Sequence, residues 1–328
     1  MSKAYSVLLR RPVFALLMSA VLLATAGLLT TAGQAKTLNV SLVMSDSSTP
    51  YRQFANSFNS ALTASKAGVN IVESQVISAT HADLIVAVGM KAAELAAVQF
   101  DTPVLVAMVP EAGYRELLAH APPQKSPVII SAIYLNQPWN RWFDFLHAAL
   151  PERRKIGLLY SPDTHIDIEG LRKNIAARGG TLIAQPVRSA DELFPGLKNV
   201  LASSDVLLAI PDSAIYSSSN IRNILLTSYR HGVPLIGISQ AYVNAGAMCA
   251  IFSTPEQLAE QTSTTVISFA RTGQLPEPQY PAAFTIAVNQ QVVRSLGIAV
   301  PSQETILGKM DKAQMNNAQM DRTREPNR

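Results

Sequence analysis

Ala82-Asp83-Leu84-Ile85-Val86-Ala87-Val88-Gly89 and Ser204-Asp205-Val206-Leu207-Leu208-Ala209-Ile210-Pro211 are two versions of one phrase: a small residue, an aspartate, an unbroken aliphatic run, and a Gly or Pro stop. A run with no polar alternation reads as a strand covered on both faces, the habit of parallel sheets. Each run is followed by a helix-like stretch, then by a strand opened with proline: Thr102-Pro103-Val104-Leu105 in the first case, Val233-Pro234-Leu235-Ile236 in the second. The two phrases stand roughly 120 residues apart, the length of one small α/β domain. An aspartate is also a common way into any buried strand. The matched order of strand, helix and proline-opened strand favours two similar sheets in tandem.

Working outward, strands are expected at 38–45, 70–76, 83–89, 103–109 and 128–135, and again at 155–161, 181–187, 205–211, 234–239 and 247–252. Amphipathic stretches of crossover length lie between them, at 50–66, 92–99, 139–150, 166–178, 193–202, 219–231 and 256–271. This is βαβ alternation and predicts an α/β fold. A seam falls at 133–138, after which the pattern restarts with a helix, Pro151-Glu152-Arg153-Arg154 and a new strand. Residues 274–281 carry three prolines and read as an extended crossing segment. Beyond Gly308 no periodic apolar face remains, so 309–328 is expected to be a disordered tail.

The chain has 328 residues, 48% of them hydrophobic and 15% charged, enough for a core in each of two domains. Its net charge of +4 is unevenly placed. Lys3, Arg10 and Arg11 precede residue 36 with no acid among them, and the segment from Lys309 onward is also net basic. The part between is close to neutral, so no basic face for nucleic acid is implied. A single cysteine excludes an intrachain disulfide and a cysteine-rich metal site.

Residues 1–35 read as an export signal. A basic start is followed by an uncharged apolar run from Val13 to Leu29, and Gly33 and Ala35 supply small residues before a cut after Ala35. The run is also long enough, at its short limit, for an uncleaved anchor. The small-residue exit favours cleavage, and with it a periplasmic location.

In open parallel sheets ligands gather at the carboxyl ends of the strands. Candidate ligand contacts are therefore the strand exits: Ser45, Asp46 and Ser47 after the first strand, Gly89, Met90 and Lys91 after the third, and Pro110, Tyr134 and Asn136 after the next two. In the second half they are Tyr160, Asp212, Ser213, Tyr216, Ser239 and Tyr242. Hydroxyls and free N–H groups at a helix start suit a carboxylate or other anion. Aromatic rings flanking a cleft suit a flat or apolar guest. Each residue also has a plainer role: Asp212 as a turn cap, each tyrosine as core.

Catalytic readings find little. Gly237-Ile238-Ser239-Gln240-Ala241 resembles a degraded nucleophile elbow, but His81, His120, His147, His165 and His231 all precede it, against the order such a triad requires. No HExxH, phosphate loop or GxGxxG occurs. No catalytic residue, metal site or cofactor is expected.

Several segments together resemble the type I periplasmic substrate-binding proteins of ABC transporters, and more narrowly the subfamily that includes tryptophan/tyrosine-type binding components. They are residues 82–109, the strand 205–211 with Asp212, residues 234–252 with Ala245-Gly246-Ala247, and the late phrases Gly273-Gln274-Leu275-Pro276, Val288-Asn289 and Leu296-Gly297-Ile298-Ala299-Val300-Pro301. The resemblance spans almost all of 38–305. It implies two Rossmann-like lobes joined by three crossing segments: lobe one at 36–133 plus 253–273, lobe two at 134–252 plus 274–308. It also implies a small-molecule ligand, such as an amino acid or another small anion or zwitterion, clamped by hinge closure. The partner would be an ABC permease, or alternatively a membrane signalling receptor to which a periplasmic sensor reports. The sequence departs from the family where Ser253-Thr254-Pro255-Glu256-Gln257 replaces an acidic-aromatic turn, and where Pro110-Glu111-Ala112-Gly113-Tyr114 lacks the usual Asp-Pro. An aromatic amino acid is therefore not carried over as the ligand.

Overall fold

The computed structural model describes residues 37–74, 82–98, 102–120 and 130–324. The expected export signal at 1–35 lies outside the described residues, as do His81 and parts of the strands expected at 70–76 and 128–135.

The aliphatic runs form two sheets. The first contains β1 (Leu38–Met44), β2 (Val69–Ser74), β3 (Leu84–Val88), β4 (Val104–Val109) and β5 (Ile130–Tyr134), all parallel, in the order β2-β1-β3-β4-β5. The second contains β6 (Lys155–Tyr160), β7 (Thr181–Pro186), β8 (Val206–Leu208), β9 (Leu235–Gly237), β10 (Cys249–Phe252) and β11 (Thr285–Val288), in the order β11-β10-β9-β8-β6-β7. Its β7-β6-β8-β9-β10 part repeats the order of the first sheet, and only β11 is antiparallel. The two aspartates of the repeated phrase do the same work. Asp83 Oδ2 accepts the Asn39 N–H at 3.0 Å at the start of β1. Asp205 Oδ2 accepts the Arg154 and Lys155 N–H groups at 3.1 and 2.9 Å at the start of β6. Each pins the neighbouring strand's amino end to a central strand.

Helices α1 (Thr49–Ser65), α2 (Met90–Ala97) and α3 (Glu111–His120) follow strands of the first sheet. The second carries α4 (Trp139–Ala149), α5 (Ile168–Ala177), α6 (Ala190–Leu201), α7 (Ile221–Arg230) and α8 (Gln240–Ala245). In α1, Pro50 near the start and Lys66 in the left-handed region at the end (φ 52°) set the bounds. Phe54, Phe58 and Leu62, spaced by four, form its buried stripe. Each such side chain contributes about 1.5–3 kcal/mol.

The sequence reading placed no helix at 111–120. Gly113 and only two buried side chains, Tyr114 and Leu117, weaken its pattern. A distant residue supports its start: Asn136 Oδ1 accepts the Glu111 N–H at 2.8 Å.

The chain passes between the sheets three times. It leaves β5 through 135–138 into α4 and returns from β10 through 253–254 into α9 (Pro255–Thr272). It leaves again through 274–284 into β11, followed by α10 (Gln290–Ser295). Helix α9 packs on α1, so Leu258, Ala259, Val266 and Phe269 share a core with Phe54 and Phe58. Its start carries a full capping box between Thr254 and Gln257. The last crossing first runs beside β5, where Tyr134 N–H donates to Gln279 O at 2.9 Å and Gln279 N–H to Ala132 O at 2.8 Å.

A polar knot ties the crossings. Gln137 Nε2 donates to Ser253 Oγ at 2.9 Å, and Ser253 Oγ donates to Ala283 O at 2.5 Å. Arg141 Nη1 reaches Gln137 Oε1 at 2.6 Å and Pro281 O at 2.8 Å, with its guanidinium 4.9 Å from the centre of the Phe284 ring. Burial pulls the Arg141 pKa down.

The segment expected to be a disordered tail overlaps a helix as far as Arg324, and residues 325–328 lie outside the described residues. Helix α11 spans Gln303–Arg324. Its composition lacks an amphipathic stripe, yet Gln, Met, Lys and Ala are good helix formers. Ile306 and Met310, one turn apart, are fully buried in the second core, where the helix packs against α4. No helix among the described residues is long and apolar enough to cross a membrane.

Candidate functional site

A cavity of about 260 Å³ opens where the carboxyl edges of the two sheets meet. The first sheet contributes Glu111, Ala112 and Arg115 from α3, which follows β4. The second contributes Trp139 at the start of α4, residues 164–167 after β6, Asn174 on α5, and Ile210-Pro211 after β8. Asn136 and Tyr280 lie on two of the crossings. The volume is just below the range of ordinary ligand pockets (roughly 300–1,000 Å³), which suits a small guest.

The chemistry of the walls is mixed. Tyr280 Oη donates to Glu111 Oε2 at 2.5 Å, and Arg115 pairs with Glu111 one turn away on α3. Burial first, and the Glu111 carboxylate second, push the Tyr280 pKa up, so the phenol stays a donor. Behind it Tyr134 meets Tyr280 edge-on at 5.3 Å and Tyr114 at 5.6 Å. Across the cavity Trp139 stacks on Phe143 at 6.2 Å, which fixes its indole as a flat wall. His165 sits in the left-handed region (φ 48°) at the end of the short 3-10 turn Pro162–Thr164. That turn touches α3, so the two halves meet at one flank of the cavity.

Asn136, on the first crossing, is the one residue of this cavity that the strand-exit rule anticipated. Ser45, Asp46, Ser47 and Lys91 gather in a second hollow of about 240 Å³, lined by the end of β1, the loop after it and helix α2. Ser45 Oγ accepts the Ala92 N–H at 3.0 Å and bonds the Tyr51 phenol. The Ser48 N–H donates to Asp46 Oδ1 at 2.7 Å; a hydrogen bond from the Ser48 side chain first, and this backbone bond second, hold the Asp46 pKa down. Gly89 (φ 86°) admits both Ser45 Oγ and Tyr51 Oη, which a Cβ would displace. Met90 fills the space beside Gly113. Pro110 leads into α3, its carbonyl accepting the Tyr114 N–H at 3.0 Å.

The second half's exits are used more within the fold. Asp212 is buried, its carboxylate accepting N–H groups of Ser161 at 2.7 Å, Ala214 at 3.1 Å and Ile215 at 3.3 Å, which is its turn-capping role. Tyr216 is buried and donates to Leu208 O at 3.2 Å; Tyr242 donates to Tyr216 O at 3.2 Å, its pKa pushed up to about 12 by burial. Tyr134 is likewise core. Tyr160 is half-buried against the second core, Ser213 is exposed, and Ser239 precedes α8 without a side-chain cap bond. Glu111, Arg115, Trp139, His165 and Tyr280 were not anticipated as site residues. The signal available for Glu111 was its place just past β4; nothing local marked Tyr280, which a segment of remote sequence brings in. No group of acidic, His or Cys side chains among the described residues could hold a metal ion.

Solved structures show the same architecture. A substrate binding protein with adhesive properties from Clostridium difficile, in its ligand-free, open structure, is similar with a TM-score of 0.64 at 16% identity, over 82% of this chain and 97% of that one. A conserved domain protein from Vibrio cholerae matches with a TM-score of 0.59 at 18% identity, over 84% and 98%. An ABC domain in complex with L-Trp from Streptococcus pneumoniae matches with a TM-score of 0.59 at 16% identity, over 83% and 98%. No curated protein is similar enough to match. The fold is thus the type I periplasmic binding protein fold. The family described as ABC transporter substrate binding protein matches residues 53–314, and the chain belongs to that family.

Proposed function

We propose that this protein captures a small polar solute in the cavity between its two sheets, outside the cytoplasmic membrane, and hands it to an ABC permease without changing it chemically. The observation that carries this reading is the cavity itself, walled by the carboxyl edges of both sheets and backed by the tied crossings. Closing two lobes on a guest buries it, and the guest stabilises the closed state by its excess affinity for that state. Paired Glu111 and Arg115, the Tyr280 phenol, the Asn136 amide and the Trp139 face offer donors, acceptors and a flat apolar wall. That set fits an amphoteric molecule of amino-acid size; a protein of the same fold holds L-Trp. Export is supported by the basic, apolar and small-residue order of residues 1–35.

The test is mass spectrometry of small molecules released from purified protein, followed by thermal shift with those molecules and an amino-acid panel. A true ligand at a hundredfold excess over its Kd adds about 2.7 kcal/mol of stability. Trp139→Ala and Glu111→Gln should each weaken that effect. A panel that leaves the melting temperature unmoved, with nothing released, would count against capture.

A further inference from the structure

A second cavity, of about 290 Å³, lies at the opposite end of the second sheet from the cleft. It sits by the amino ends of β6 and β7, under α11, and between the last turns of α4 and α5. Its floor is apolar and buried, made by side chains such as Phe143, Leu146, Leu150 and Ile175. Its rim is cationic. Arg153, Arg154, Arg178 and Lys309 line it against one carboxylate, Asp144, and none of the four forms an ion pair among the described residues. Arg153 and Arg178 are committed to neighbours: Arg153 donates to Asp205 O at 2.9 Å, and Arg178 lies over the Phe143 ring at 5.3 Å. Arg154 and Lys309 are exposed; Arg154 makes only a 3.5 Å side-chain bond to Gly179 O, and Lys309 makes none among the described residues.

An apolar floor disfavours a simple inorganic anion, and a rim of four cations against one carboxylate disfavours a cationic apolar guest. We infer that this cavity binds a single-chain amphipathic carboxylate, its alkyl chain on the Phe143–Leu150 floor and its head group on Arg154 and Lys309. The site is separate from the cleft and does not depend on what the cleft binds.

Calorimetric titration of the protein with octanoate, decanoate and dodecanoate, each below its micelle-forming concentration, tests this. Affinity should rise on the order of tenfold for each two methylenes added, until the floor is covered. The methyl ester of decanoate and decylammonium should bind about tenfold more weakly or not at all. The double variant Arg154→Glu with Lys309→Glu changes only exposed side chains; it should keep its melting temperature and lose about tenfold or more in decanoate affinity. Equal binding of the ester, no dependence on chain length, or unchanged affinity in the double variant would each overturn the assignment.

Discussion

Gly89 shows what one residue controls beside the hollow of the first sheet. Its backbone (φ 86°, ψ 166°) lies in a region that essentially only glycine occupies, and a Cβ there would collide with Ser45 Oγ and Tyr51 Oη. Gly89→Ala should cost about 1–3 kcal/mol, seen as a lower urea midpoint at unchanged m-value. Asp144 makes a pH prediction. Burial raises its pKa, opposed by Arg178 and His147, so the folded protein holds this proton more tightly than the unfolded chain. Stability from that group is complete below the unfolded value and falls as pH rises through the folded one. Asp144→Asn should melt higher than the parent at neutral pH, the gap closing in acid; an equal gap at every pH would refute the role assigned to desolvation. At this scale the sequence was informative where chemistry is local. The hydroxyls after β1 share one hollow with Lys91, and the glycine after β3 lies against Ser45 Oγ. Glu111, Arg115 and Tyr280 escaped because a helix with a weak pattern and a crossing about 170 residues away make that contact, and no local spacing encodes it.

Elements were legible in proportion to how continuous their apolar runs are. The strands of both sheets could be read because buried parallel strands are aliphatic throughout. Strand β11 could not, being a four-residue antiparallel edge; nor could α3 and α11, whose helical state depends on Asn136 and on the seats of Ile306 and Met310. The α1–α9 pair offers a direct check. Phe58 is fully buried between them, so Phe58→Ala should cost about 3–5 kcal/mol. Because α9 comes from remote sequence, native-state hydrogen exchange should show both helices losing protection together. At the crossings, Gln137→Ala removes the acceptor of Arg141 and the donor to Ser253. A loss of about 1–3 kcal/mol in urea unfolding is expected, the range for leaving buried partners unpaired.

For the whole molecule the question is whether the two sheets move as bodies. Their cores are distinct, one centred on Phe54 and Phe58 and the other on Phe145, Leu158 and Leu207. The connections between them are short, and a few backbone angles there could absorb a rotation. The contact of α3 with the turn at Pro162–Thr164 is the place to watch. Ala119 on α3 and Asp163 in that turn are exposed and line one shallow hollow from opposite sides. Cys249, the chain's only cysteine, is fully buried with its thiol pKa pushed up by burial, so it will not react. Spin labels on Ala119→Cys and Asp163→Cys would therefore report on this pair alone. A hinged clamp should give a short distance in the arrangement described here and a longer one when the lobes part. Ligand should transfer population toward the short peak, by an amount set by its differential affinity for the two states. A single narrow distance that no cleft ligand alters would mean the sheets form one rigid body, and capture would have to proceed without closure.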